Sequence, residues 1–136
     1  MSAVSRARGS ALRGCARLAA AAAAALLVAC AQPVGLVDVV ERPGEKALLA
    51  GWRAYDEAQY PQAEAQLCAA LAAGLASPRD RAAAHKILAF IACTSERTAQ
   101  CEAEFRLARG SDPAFVLSRS EAGHPVWGPV YKRILP

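Results

Sequence analysis

The chain has 136 residues, with 16 lysines and arginines against 12 aspartates and glutamates, a formal net charge of +4. Four of the sixteen basic residues and none of the twelve acidic ones precede Cys30, so twelve of each follow it and the remainder is formally neutral. The excess positive charge is therefore a property of the first residues alone, which excludes the basic footprint of a nucleic-acid-binding domain.

From Ser2 to Arg17 the chain carries Arg6, Arg8, Arg13 and Arg17 and no acid; from Leu18 to Val28 every residue is Leu, Ala or Val. A basic start, an apolar span and small residues at its end are the parts of a secretory signal. Eleven helical residues reach about 16 Å, short of the ~30 Å of a hydrocarbon core, so a lasting transmembrane helix is not expected here. The string Leu27-Val28-Ala29-Cys30 resembles the lipobox of bacterial lipoproteins. The resemblance implies recognition through Leu27, Val28 and Ala29, cleavage before Cys30, a diacylglycerol on its sulfur and an acylated new amino terminus. Several acyl chains anchor stably where one is marginal. Ala31, in place of an aspartate, implies onward sorting to the outer membrane, facing the periplasm. The competing reading is a soluble secreted protein with an incidental cysteine.

The expected division is a signal peptide at 1–29, the lipidated cysteine and a tether at 30–45, a helical domain at 46–113 and a capping tail at 114–136. Once 29 of the 136 residues are removed, 107 remain, enough for one small domain with one core. The tether contains Gln32-Pro33, Gly35 and Pro43-Gly44 and lacks helical periodicity; its run Leu36-Val37-Asp38-Val39-Val40 is an extended linker or a strand for a partner.

From Lys46 onward the spacing is helical and repeats. Gly51, Tyr60, Ala63, Leu67, Ala70 and Leu71 recur 38 residues later as Ala89, Thr98, Cys101, Phe105, Ala108 and Arg109, with Pro113 closing the unit. These offsets resemble those of tetratricopeptide repeats, in which a small residue at the Gly51 position lets the second helix approach and the later positions line its buried face. The usual repeat of about 34 residues is lengthened here by the loop Gly74-Leu75-Ala76-Ser77-Pro78. The pattern departs from the family at Ala47 and His85, where Trp is usual, and at Ala89 and Thr98. The expected fold is all-α: two helical hairpins, Gly44 to Ala58 with Tyr60 to Ala73, and Ser77-Pro78 to Thr94 with Glu96 to Arg109. Gly74 and Gly110 are the expected C-terminal caps and Ser77 an N-cap, with Asp80 in the first turn.

A terminal element is needed to cover the open face of the last pair. A turn from Asp112 and a short helix beginning near Pro125 would bring Trp127, Val130 and Tyr131 onto it. The tail, with Asp112-Pro113, Glu121 and His124-Pro125-Val126-Trp127-Gly128-Pro129, also resembles the ends of small bacterial cell-envelope repeat lipoproteins.

Cys15 departs with the signal and Cys30 is committed to lipid, which leaves Cys68, Cys93 and Cys101 in an oxidising compartment. One disulfide and one spare thiol is the simplest arrangement. Cys93 with Cys101 is the expected pair, because they flank a turn between antiparallel helices; Cys68 with Cys93 is the alternative. Two histidines and no close cysteine pair give no metal site. His85 is expected as a satisfied, partly buried core histidine, and His124 as a cap or contact of the last helix. No glycine-rich phosphate loop, serine elbow or spaced carboxylate pair stands out, so neither enzymatic activity nor a cofactor is expected.

What is left is a surface. The first helices of the two units should line one groove, with Leu48, Trp52, Tyr55 and Asp56 opposite Lys86, Phe90 and Thr94. Trp52, Tyr55, Lys86 and Phe90 are the expected binding residues, aromatics beside a lone cation that suit capture of a peptide. The alternative is that Trp52, Tyr55 and Phe90 only pack under the tail or linker. The resemblance implies a non-enzymatic adaptor binding a periplasmic or outer-membrane protein of an envelope machine: pilus assembly, barrel assembly or type VI secretion. The competing class is an accessory that oligomerises or stiffens such a complex through its outer helix faces.

Overall fold

A computed structural model describes residues 42–136. The lipobox Leu27-Val28-Ala29, the lipidation site Cys30, the signal peptide and the possible strand Leu36–Val40 lie outside the described residues. Those described are all-α: α1 (Pro43–Asp56), α2 (Tyr60–Ala73), α3 (Pro78–Thr94), α4 (Thr98–Ser111), α5 (Arg119–Ala122) and α6 (Gly128–Arg133), with no strand among them. The strongest packing joins α1 to α2 and α3 to α4, the two expected hairpins.

The termini follow local chemistry. α1 opens at Pro43, whose fixed φ and missing N–H suit the first helical position. The helix thus begins one residue before the expected Gly44. α3 opens as expected, with Ser77 Oγ accepting from the Asp80 N–H at 3.2 Å and Asp80 in the first turn. Gly74 ends α2 at φ 85°, the backbone conformation glycine adopts without penalty. Gly110 is not a cap. It lies inside α4, which runs on to Ser111 and stops at Asp112 in extended geometry (φ −138°, ψ 107°), the conformation favoured before a proline.

The turns inside the two hairpins are the same turn. In the first, the Gln59 N–H donates to the Ala54 carbonyl at 2.8 Å and the Ala58 N–H to Tyr55 at 2.9 Å. In the second, the Arg97 N–H donates to Ala92 at 2.8 Å and the Glu96 N–H to Cys93 at 3.2 Å. Each pair of bonds is a Schellman closure. Its left-handed residue is Ala58 (φ 58°) in one and Glu96 (φ 60°) in the other, 38 positions apart. These closures end α1 at Asp56, short of Ala58, and delay α4 to Thr98, past Glu96.

Core positions repeat at the same offset. Ala63, Leu67 and Ala70 are fully buried in α2, as are Cys101, Phe105 and Ala108 in α4. At Gly51 a Cβ would sit 2.8 Å from Cγ and Cδ2 of Leu67, so this glycine is what lets α1 and α2 come together.

The central element is α3. Seven consecutive residues, Ile87 to Cys93, are buried, so the helix is covered on every side rather than on one stripe. Ala84, Ile87, Leu88 and Ile91 complete the core of the first hairpin; Ala89, Phe90, Ala92 and Cys93 join Cys101 and Phe105 in that of the second. The second core is closed by the tail through Leu117, Val130 and Tyr131. The Tyr131 ring meets Phe105 edge-on at 5.2 Å and its hydroxyl accepts from the buried Leu117 N–H at 3.3 Å.

The tail covers the expected face with two short helices in place of one. Ser118 and Glu121 form a reciprocal capping box that nucleates α5. Residues 125–127 form a turn, and α6 starts at Gly128 rather than near Pro125. That turn is held by Trp127 Nε1 donating to the Glu121 carbonyl at 2.9 Å and by the Gly128 N–H donating to the His124 carbonyl at 2.9 Å. His124 stacks on Trp127 and accepts from the Val126 N–H at Nδ1, a contact at the start of the last helix as expected.

Cys93 and Cys101 are disulfide-bonded, with Cα atoms 5.1 Å apart across the α3–α4 turn. Cys68 is partly buried on α2 and packs against the core of the first hairpin.

Candidate functional site

A pocket of about 280 Å³ opens where α1, α3 and α5 meet. Trp52, Tyr55 and Asp56 line it from the end of α1, Lys86, Ile87 and Phe90 from the middle of α3, and Glu121 from α5. Trp52 and Asp56 are four apart and Lys86 and Phe90 are four apart, so each pair lies on one helix face. The four residues expected at a groove, Trp52, Tyr55, Lys86 and Phe90, therefore share one cavity. Leu48 and Thr94 do not join them. Leu48 is core, and the Thr94 hydroxyl donates back to the carbonyls of Phe90 and Ile91 at the end of its own helix.

The roles of two of the four differ from expectation. Phe90 is only 5% exposed, with its ring stacked on Trp127 at 4.3 Å, so it is a wall packed under the tail. Here the packing alternative holds, because Trp127 takes the face that a ligand would have used. Lys86 is not a lone cation: Nζ donates to Glu121 Oε1 at 2.7 Å and stands 5.8 Å from the Phe90 ring centre. Glu121, which sequence reasoning did not place at the groove, is the hub of the site. Its other oxygen accepts from the Ser118 N–H at 2.8 Å. Burial disfavours its charge, yet the hydrogen bonds from Lys86 and Ser118 outweigh burial and hold the carboxyl below the usual carboxylate range. The sequence signal was present in the Ser118-x-x-Glu121 capping box; the long-range partner Lys86 was not legible.

Trp52 and Tyr55 are half-buried and pack against the first core. The Trp52 indole N–H is buried and finds no hydrogen-bond partner among the described residues, which leaves a desolvation cost uncompensated. The Tyr55 phenol is held above its ordinary pKa, by burial first and then by the neighbouring Tyr60, Asp56 and Glu121. Tyr60, 43% exposed, leans on Tyr55 at 5.7 Å between ring centres. Asp56 is exposed and forms no ion pair or side-chain hydrogen bond among the described residues.

Away from the pocket, two charged contacts are structural. His85 Nδ1 lies 2.7 Å from Glu104 Oε2, joining α3 to α4, so His85 is the satisfied, partly buried histidine that was expected. Arg97 meets both oxygens of Glu64 at 2.8 and 2.9 Å, a bidentate staple from the second hairpin to α2. Among the described residues no group of three His, Cys, Asp or Glu is placed to hold a metal ion, and no helix is long and apolar enough to cross a membrane.

Comparison with protein-family models, with curated proteins and with solved structures gave no match for this chain.

Proposed function

We propose that this chain is a non-enzymatic lipoprotein, anchored to the outer membrane through Cys30 and facing the periplasm, that captures a protein segment of an envelope machine. Sorting and anchoring rest on the lipobox resemblance at Leu27 to Cys30, and on the basic, apolar and small-residue order that precedes it. Capture rests on one observation: an aromatic-walled cavity of about 280 Å³ between the two hairpins and the tail. Its volume falls just short of the range for small-molecule pockets, about 300 Å³ upward, and suits one anchoring side chain of a longer segment. Trp52 and Tyr55 keep part of their surface in solvent and supply the contact area. Phe90 and the Lys86–Glu121 pair keep the walls in place.

The test is retrieval of crosslinked partners from the periplasm with the lipidated full chain and with Trp52→Ala. Loss of the same crosslinked band in Trp52→Ala, at unchanged helical circular dichroism, is the expected result; an unchanged band refutes capture at this cavity. Cys30→Ser should leave an unprocessed precursor, and a mature amino terminus elsewhere without acyl mass refutes the anchor. The second reading, a structural accessory acting through its outer helix faces, is favoured by Leu49 on α1 and Leu107 on α4, which stand 59% and 50% exposed. Self-association that is abolished by Leu107→Ser while the crosslinked band persists would favour it.

A further inference from the structure

The charge of the pocket is opposite to what a lone lysine at its edge suggests. Two carboxylates, Asp56 and Glu121, and one ammonium, Lys86, line it. The ammonium is already committed to Glu121 at 2.7 Å, and the second oxygen of Glu121 is committed to the Ser118 N–H. What remains is Asp56, exposed and unpaired among the described residues. Asp56 is also the last residue of the 14-residue α1, where the carbonyl end of the helix carries partial negative charge. The raised pKa of Tyr55 reports the same field: after burial, its causes are the neighbouring Tyr60, Asp56 and Glu121. Beside this unmatched carboxylate stand the Trp52 and Tyr55 rings, whose negative faces attract a cation.

We infer that the pocket takes a positively charged side chain, lysine or arginine, of the bound segment, seated on Trp52 and Tyr55 and paired with Asp56; this rests on the capture reading given above. A carboxylate in the same place would meet Asp56 and the helix end with like charge, and an apolar side chain would desolvate Asp56 without compensation. The Lys86–Glu121 pair does not compete for the guest. It fixes α5 to α3 and so holds the pocket's third wall.

The probes are N-acetyl-arginine methylamide and N-acetyl-glutamate methylamide, each titrated at constant ionic strength into the full chain in detergent. The indole N–H resonance of Trp52 is followed, with that of Trp127 as the second indole of the chain. The arginine compound should shift the Trp52 resonance saturably, and the glutamate compound should leave it in place. Asp56→Asn should weaken the arginine response by about 3- to 10-fold, the effect of one partly exposed charge pair beside aromatic rings. Glu57→Gln removes the same charge from the neighbouring exposed residue and should change it by less than about twofold. Equal responses to both compounds, no response to either, or equal effects of the two variants overturns the inference. Failure of this inference and failure of capture itself are told apart on the crosslinked partner. If Trp52→Ala loses the band and Asp56→Asn keeps it, capture stands and the cationic guest does not. If both variants keep it, both fall.

Discussion

The two hairpins share one frame and are filled differently. Both close with the same pair of turn hydrogen bonds around a left-handed Ala58 or Glu96, and both bury three residues of their second helix at matching positions. In the first, the helices meet at Gly51 against Leu67, and the remaining apolar face is covered by α3. In the second, Ala89 stands at the glycine position, Phe105 at the leucine position and a disulfide ties the turn; the remaining face is covered by the tail. A hairpin of this kind cannot bury its apolar stripe alone, so each is completed by whatever follows it in the chain. The pocket falls where the two kinds of covering meet, and its walls therefore come from α1, α3 and α5.

The largest test of that difference is truncation of the two matched side chains. Phe105→Ala should cost about 3–5 kcal/mol and Leu67→Ala about 2–5 kcal/mol in urea unfolding of the full chain. Phe105→Ala should in addition loosen the tail, seen as a change in Trp127 fluorescence, because the Tyr131 ring rests on it. If Leu67→Ala perturbs Trp127 equally, the two cores are not filled by separate elements.

Next in size is the disulfide, which only the second hairpin has across its turn. It closes a separation of eight residues, so the double variant Cys93→Ala, Cys101→Ala should lose roughly 2–3 kcal/mol in the chain-entropy view. A loss shared equally by amide-exchange protection in α1 and α3 would show that the turn is not a local device.

Exchanging the small residues addresses the close approach. Gly51→Ala brings a Cβ to 2.8 Å from Leu67 and to 3.3 Å from its backbone nitrogen, and the strain should exceed the gain in helix propensity, for a net loss of about 1–2 kcal/mol. Ala89→Gly should cost about 1 kcal/mol from propensity alone. A stabilised Gly51→Ala protein, by thermal melting, would mean that the first hairpin has the same clearance as the second.

Glycine at the two shared turns should help both hairpins alike. Ala58→Gly and Glu96→Gly each relieve a left-handed residue and should gain about 0.5–1 kcal/mol. A gain in one and a loss in the other would show that the turns are not equivalent.

The smallest effect is that of acid on the staple between hairpins. The Arg97 hydrogen bonds hold the Glu64 carboxyl below its ordinary range. Its contribution is thus fully present above the unfolded carboxylate range, about pH 4.3, and is lost as pH falls through the lower folded value. Both groups are partly solvent-exposed, which screens the pair. The stability curves of the native chain and of Glu64→Gln should differ at pH 7 and converge as pH falls through the lowered folded value of Glu64; a constant gap would refute the linkage.

The sequence by itself determined the helical class, the four helices of the two hairpins with their ends to within two residues, and the 38-residue repeat, because these are set by short-range signals. Pro43, Ser77-Pro78 and Gly74 act within a turn of the helix they start or stop. The buried small and large residues announce themselves by spacing, and the Cys93–Cys101 pair was legible because a tight turn leaves its flanking residues few other neighbours. The signals failed where a local rule was beaten by a longer-range one: Gly110 stays helical because Asp112-Pro113 is the stronger stop, and the stretch from Pro125 to Trp127 is a turn because Trp127 bonds back to the Glu121 carbonyl. The helix register also brought Trp52, Tyr55, Lys86 and Phe90 to one cavity, but only the tertiary structure decided their roles in it. Which partner takes the charge of Lys86, and which ring lies on Phe90, depends on where a tail 35 residues downstream comes to rest. That placement is fixed by packing Val130 and Tyr131 against Phe105, a contact between segments that no local periodicity connects.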